Sequence, residues 1–222
     1  MNKEFILRLT KYKRLIHKLK SLGFERVFSN NLGDAIGVTP ALVRKDFSTL
    51  HLSGNKRGGY NIDMLVEEFD VILGSNTPQN VILVGCGRIG QSLMNYPGFV
   101  SDDIHLVAGF DLDPMNVKDS TAIPILGMEK LEKYVTDNDI KVGIIAVPGD
   151  EASSVLDKMV SAGIRGVLNF APVELKCQKY DCDCPCVIQN VNIGLELEHL
   201  FYQVSTQDVD FTAEREPIDQ NT

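Results

Sequence analysis

One junction in the chain, where four apolar residues run straight into a glycine pattern, constrains the fold more than any other feature. Val81-Ile82-Leu83-Val84 is a continuous apolar run, as expected of a strand covered on both faces in a parallel sheet. Gly85-Cys86-Gly87-Arg88-Ile89-Gly90 follows with no spacer and leads into a helical stretch. The next apolar run, Ile104–Phe110, ends in Asp111, 21 residues after Gly90. A lone G-x-G-x-x-G carries little information. Set between a strand and a helix, with an acid at the end of the following strand, it is the dinucleotide fingerprint. Its glycines let the backbone approach a pyrophosphate seated on a helix N-terminus. Asp111 is placed to accept from the ribose hydroxyls and to repel an additional ribose phosphate, whereas Asp113 is read as a cap or a solvated acid.

Further βα units extend this pattern. Val142–Val147 reads as a strand ending at Pro148-Gly149, and Ala152–Ala162 as a helix. Gly166-Val167-Leu168 is another strand, leading into Asn169-Phe170-Ala171-Pro172. Ligands of open parallel sheets sit outside the carboxyl ends of the strands. Val147, Pro148 and the segment Asn169, Phe170, Ala171, Pro172 are therefore expected to line the far half of the pocket. Val187–Val191 reads as the last strand and Gly194–Val204 as a C-terminal helix. The polar, acid-rich tail from Ser205 is expected to be disordered.

The first third of the chain follows a different grammar. Phe5, Leu9, Tyr12, Ile16 and Leu19 recur at helical spacing, with Arg8, Lys11, Arg14, Lys18 and Lys20 on the other sides. A short helix follows Ser29, with Leu32, Ala35 and Ile36 as its apolar stripe, and Gly37-Val38 makes a tight turn. Thr39-Pro40 then supplies a cap and a first-turn proline for a third helix, Ala41–Leu50. Val43, Phe47 and Leu50 share its core face, and Ala41, Arg44, Lys45 and Ser48 share the outer one. This is a helix-turn-helix layout, in which a small residue lets the backbone approach a groove and Arg pairs with guanine edges or phosphate. Lys56 and Arg57, flanked by glycines, suit the tip of a wing lying along a phosphate backbone. Ile62–Leu73 closes the domain, and residues 74–80 form a linker.

Charge supports the same division. Residues 1–60 hold 12 Lys/Arg against 4 Asp/Glu, whereas residues 61–222 hold 10 against 26. A basic third joined to an acidic remainder suits a first part that meets a polyanion and a second that does not. No run approaches the roughly 18 apolar residues of a membrane span, and the early acid Glu4 does not suit a signal sequence, so a cytoplasmic chain is expected. Cys177, Cys182, Cys184 and Cys186 crowd together, but their spacing fits neither zinc knuckles nor common iron–sulfur patterns. A metal or thiol switch there is the minor reading.

Together these stretches resemble the redox-sensing transcriptional repressor Rex family along roughly residues 5–204. The resemblance rests on Arg8-Leu9-x-x-Tyr12, Val43–Ser48, Gly59-Tyr60-Asn61, the glycine fingerprint, Tyr96-Pro97-Gly98-Phe99, Asn169–Pro172 and the final strand–helix junction. It implies an α/β chain with an N-terminal winged helix-turn-helix domain (1–78), a Rossmann-type parallel-sheet dinucleotide-binding domain (79–190), a swapped C-terminal dimerisation helix (191–204) and a disordered tail (205–222). It further implies a homodimer that exchanges that helix, binds palindromic operator DNA and is released by NADH but not NAD⁺. On this resemblance Ala41, Arg44, Lys45, Ser48, Lys56 and Arg57 face DNA. Gly85, Cys86, Gly87, Arg88, Ile89, Gly90 and Asp111 hold the adenosine and pyrophosphate, and Tyr96, Val147, Pro148 and Asn169–Pro172 sense the nicotinamide. The chain departs from the family in carrying Asn192 where an acid usually begins the last helix, and in a shortened or shifted wing.

Other readings are a nicotinamide-dependent oxidoreductase with an N-terminal extension, a CoA- or nucleotide-binding module, and a DNA-binding protein with a vestigial pocket. A dehydrogenase needs a proton donor by the nicotinamide and a substrate domain. The four histidines, His17, His51, His105 and His199, offer no obvious catalytic placement, and little chain remains for such a domain.

Overall fold

The computed structural model describes residues 2–52, 54, 58–74, 79–101, 104–117, 123–177 and 186–213. These divide into two compact units, the first comprising residues up to 79 together with Val100–Ile104, the second comprising Asn80–Phe99 and the chain from His105 onward. Among the described residues no helix is long and apolar enough to cross a membrane.

The first unit begins with α1 (Lys3–Ser21), capped by Asn2, whose Oδ1 accepts from the Phe5 N–H at 2.9 Å. A two-residue strand β1 (Arg26–Val27) precedes α2 (Ser29–Ile36), which ends on Gly37 in the left-handed conformation. The expected stripe on α2 needs one correction. Leu32 is buried, but its buried neighbour is Gly33, and Ala35 is exposed. A Cβ at Gly33 would lie 2.6 Å from the Val38 carbonyl, so only glycine lets α2 abut the turn this closely. Thr39 then caps α3 (Pro40–Thr49) by accepting from the Leu42 N–H at 3.2 Å. Strand β2 (Tyr60–Asn61) pairs antiparallel with β1, and α4 (Ile62–Ile72) closes the unit.

The core of this unit is aromatic. Phe47 of α3 meets Tyr12, Phe69 and Tyr60 edge-on at 4.8–5.7 Å between ring centres. At its edge sits a buried charge. Asp46 is 3% exposed. It accepts two bonds from the Arg8 guanidinium (2.8 and 3.0 Å) and one from the Tyr12 hydroxyl (3.2 Å). The hydrogen bond to Asp46 raises the Arg8 pKa, and burial together with Asp46 pushes the Tyr12 phenol up. The fork geometry ties α1 to α3 through a bidentate, charge-assisted contact.

The second unit is a six-stranded sheet: β3 (Gln79–Val84), β4 (Ile104–Asp111), β5 (Ile125–Gly127), β6 (Val142–Ile145), β7 (Gly166–Asn169) and β8 (Val187–Asn190). Its order is β5-β4-β3-β6-β7-β8, and the β4–β5, β3–β6, β6–β7 and β7–β8 pairs run parallel. This is the doubly wound dinucleotide-fold order, with its reversal between β3 and β6. The helices are α5 (Arg88–Met94), α6 (Pro97–Ser101), α7 (Leu131–Asp137), α8 (Gly149–Ala162) and α9 (Ile193–Ala213). Ile82, Val84, Phe110, Ile145, Leu156 and Met159 belong to its core. Two expectations change here. α8 begins at Gly149, and α9 continues through Ser205 to Ala213, so the expected disordered tail is helical over that part. The rest of the tail, 214–222, lies outside the described residues.

Removing the Asp46 carboxylate should leave a partly buried guanidinium and a buried phenol without their acceptor. Asp46→Ala is expected to cost about 3 kcal/mol, read by denaturant unfolding of the whole chain. A loss below about 0.5 kcal/mol would show that the contact is energetically idle.

Candidate functional site

The glycine loop sits where β3 hands over to α5, and each glycine there answers a different steric demand. Gly85 has φ +95°, and a Cβ on it would lie 2.5 Å from the Ala146 carbonyl of the neighbouring segment. A Cβ on Gly90 would lie 2.0 Å from the Gly85 carbonyl, so α5 presses directly on the loop. Gly87 differs, because a Cβ there would meet nothing within 4 Å. It occupies the N-cap position of α5 and has no side chain to cap the first amides. The second glycine therefore leaves open room beside uncapped backbone donors, whereas the other two solve internal packing.

Asp111 ends β4 opposite this loop. Its Oδ2 accepts from the Cys86 N–H at 2.7 Å, and its Oδ1 accepts from the Asp113 N–H at 3.0 Å. A carboxylate offers about four acceptor positions, so these bonds orient Asp111 without saturating it. The Asp113 that the sequence read as a cap or solvated acid thus contributes a backbone donor. Cys86 is buried, and burial, then the neighbouring Asp111, pushes its thiol up to about 12. A protonated, enclosed thiol is a packing group, not a nucleophile.

Around this floor lies a cleft of about 540 Å³, lined by Val84, Gly85, Gly87, Phe110, Asp111, Leu112, Met128, Ala146, Val147, Pro148, Asp150, Glu151, Ser154, Val155 and Lys158. It opens at the carboxyl ends of β3, β4 and β6. Of the residues singled out from sequence, Gly85, Gly87, Asp111, Val147 and Pro148 line it. Cys86, Arg88, Ile89 and Gly90 adjoin it without lining it. Tyr96 lies outside the lining, exposed, with its ring edge-on to Phe99 at 5.2 Å. Asn169 and Ala171 are buried, and Asn169 spends its amide on hydrogen bonds within the protein. Phe170 and Pro172 follow it in the same loop and do not line the cleft, with Pro172 close to Gly149.

Sequence reading missed the contribution of α8. Glu151, Ser154, Val155 and Lys158 recur at i, i+3, i+4 and i+7 and so share a face, with Asp150 in the first turn. That spacing was available in the sequence, but nothing there said which face meets the cleft.

In the first unit, Ala41, Arg44, Lys45 and Ser48 are all exposed along α3. Arg44 donates to the Ser29 Oγ at 3.1 Å, which tethers it to the start of α2. The wing pair Lys56 and Arg57 lies outside the described residues, as do Cys182 and Cys184. Cys186 lies in the sheet core and Cys177 packs against it. Among the described residues no group of three or more His, Cys, Asp or Glu is arranged to hold a metal.

A helix-turn-helix unit joined to a dinucleotide-fold unit with an open glycine cleft defines a ligand-responsive DNA-binding protein. Residues 3–48 match the family described as putative DNA-binding protein N-terminus, and residues 76–173 match the CoA binding domain family. The chain is 34% identical over 203 residues to the redox-sensing transcriptional repressor Rex of Streptococcus agalactiae serotype Ia, spanning 90% of this chain and 94% of that one. It is 35% identical over 202 residues to Rex of Syntrophobacter fumaroxidans, spanning 90% and 94%. Among solved structures it is similar to RSP in complex with β-NAD⁺ and operator DNA (TM-score 0.82, 27% identity, 97% of this chain and 99% of that one). RSP described as a Rex-family repressor gives 0.77 and 28%, over 96% and 98%. The chain belongs to the Rex family of redox-sensing transcriptional repressors.

The three glycines should separate on substitution. Gly85→Ala and Gly90→Ala are each expected to lower stability by about 2 kcal/mol, through strained backbone and forced displacement. Gly87→Ala should cost no more than about 0.5 kcal/mol. Thermal unfolding of the three variants tests this, and an equal loss at all three would contradict the assigned roles.

Proposed function

We propose that this chain represses transcription by binding operator DNA as a homodimer and leaves the DNA when NADH occupies the cleft. The observation that carries the reading is the open Gly87 corner facing the oriented Asp111 carboxylate, on the same chain as an exposed basic recognition face. RSP has been solved with β-NAD⁺ and operator DNA and also with β-NADH, and the Rex relatives are named for redox sensing.

The cleft chemistry favours NADH and NAD⁺ as the ligands. Asp111 takes the adenosine ribose hydroxyls, and the uncapped start of α5 takes the pyrophosphate. The family match to CoA-binding domains supplies a second reading, but CoA carries an additional phosphate on its ribose. Asp111, Asp150 and Glu151 against a single Lys158 make the lining acidic, which disfavours that phosphate. NADH presents a neutral nicotinamide, and its transfer into an apolar wall such as Val147 and Pro148 costs less than that of the NAD⁺ cation. The role is sensing and not catalysis, and it is carried out in the cytoplasm.

On the DNA side, Arg44 and Lys45 supply the charged contacts, with Ala41 and Ser48 allowing close approach. Lys56 and Arg57 extend along the phosphates. The dimer is built on α9, whose Leu195, Leu200, Phe201, Tyr202 and Val204 are all more than half exposed in a single chain. An apolar helix of this kind calls for a covering partner. We assign that role to the same helix exchanged between two copies.

Fluorescence anisotropy on the chain's own upstream DNA tests the whole reading. NADH at micromolar concentration should release the DNA, and NAD⁺ should not. Asp111→Ala should weaken both dinucleotides by about tenfold or more, and Arg44→Ala should weaken operator binding by a similar factor while sparing NADH. Operator affinity indifferent to both dinucleotides would refute the redox reading.

A further inference from the structure

The loop after β7 is held by two asparagines that bond to it and to each other. Asn169 is fully buried. Its Nδ2 donates to the Val173 carbonyl (2.7 Å) and to Asn190 Oδ1 (2.8 Å), while its Oδ1 accepts from the Ala171 N–H (2.9 Å). Asn190, at the end of β8, accepts a second bond from the Leu175 N–H (3.0 Å) and donates to the Leu175 carbonyl (3.1 Å). The pair therefore stitches the whole turn from Ala171 to Leu175 onto the ends of two adjacent strands.

Both ends of this knot lead somewhere. On one side, the turn abuts the cleft wall. A Cβ on Gly149 would meet Val173 Cγ1 at 2.9 Å and Pro172 at 3.7 Å. Gly149 lies between Pro148 and Asp150, which both line the cleft, and the Phe170 N–H donates to the Ile145 carbonyl of β6 at 2.8 Å. On the other side, the Val191 N–H donates to the Asn169 carbonyl at 2.8 Å. Two residues after Asn190, Asn192 caps α9 by accepting from the Leu195 N–H at 3.1 Å. The path from cleft wall to the base of α9 is thus continuous and short.

We propose that Asn169 and Asn190 are positioning residues for the redox response: they fix the base of α9 to the cleft wall, so that occupancy of the cleft is expressed as a change in where α9 starts. This rests on the NADH-sensing reading given above. A packed, fully hydrogen-bonded turn shifts as a unit and does not dissipate a small displacement.

The experiment measures operator affinity by anisotropy with and without saturating NADH, for the full-length wild type, Asn190→Ala and Asn190→Asp, with NADH affinity measured separately. The ratio of the two operator dissociation constants is the coupling factor, which a purely stabilising contact leaves unchanged while the protein stays folded. Asn190→Ala should keep NADH affinity within about threefold and lower the coupling factor by about tenfold. Asn190→Asp keeps both acceptor bonds, loses the donor to Leu175 and sets a carboxylate oxygen against that carbonyl. It should fall between the two, and it serves if the alanine variant does not fold. A variant that melts earlier but retains the wild-type coupling factor overturns the inference. A wild type whose operator affinity ignores NADH overturns the redox reading, and this inference with it.

Discussion

The missing side chain at Gly90 governs the geometry of the second unit. Because a Cβ there would fall 2.0 Å from the Gly85 carbonyl, no other residue lets α5 start so close to the end of β3. That closeness places the first amides of α5 at the point where the strand order reverses between β3 and β6. Gly85 answers the same constraint from the loop side, turning the chain at positive φ against the Ala146 carbonyl. Once these two glycines have set the loop, the Cys86 N–H points at Asp111 and holds the carboxylate beside Gly87. Floor, anion-facing helix end and acid are consequences of one packing contact.

The first unit solves a different problem, that of presenting a helix with a defined orientation. Phe47 anchors α3 in an aromatic core, but a ring contact alone permits the helix to rock. Asp46, next to it on α3, adds a directional constraint by gripping Arg8 with both carboxylate oxygens and accepting from Tyr12. Burying a carboxylate is expensive without partners, and here it has three donors. The adjacent Arg44 and Lys45 are then carried outward as a fixed pair, and Ser29 restrains the Arg44 guanidinium further.

Periodicity, caps and the glycine fingerprint made both architectures legible, because these signals are local. Thr39-Pro40 and Gly37 act where the sequence placed them, and the five residues Phe5, Leu9, Tyr12, Ile16 and Leu19 all turn inward or partly so. What escaped was decided by tertiary partners. The burial of Asp46 depends on Arg8, 38 residues away, a pairing that no local pattern marks. Asn169 read as a pocket residue because it follows a strand, yet its partners at Val173 and Asn190 absorb its amide. The α8 face toward the cleft could not be placed without the six-stranded sheet it packs on, nor the short β1 without its partner β2. Asn192 departs from the family's usual acid but still caps α9, since a neutral amide oxygen serves an N-cap as well as a carboxylate does.

A ligand moves an equilibrium only by its different affinity for two states, so a sensor of this kind needs an element whose position has two stable answers. α9 is suited to that role on the proposed reading. Within one chain Leu195, Leu200, Phe201 and Tyr202 are more than half exposed; in the proposed dimer a second copy covers them, and an interface between copies can be satisfied in more than one register of packed side chains. Its base is different, being tied through Val191, Asn190 and Asn169 to the turn that leans on Gly149. A helix fixed at one end by hydrogen bonds and free along its length to settle against a partner converts a small displacement at the cleft into a larger one at its far end. The 21 residues of α9, at about 1.5 Å each, give that lever a length of roughly 30 Å.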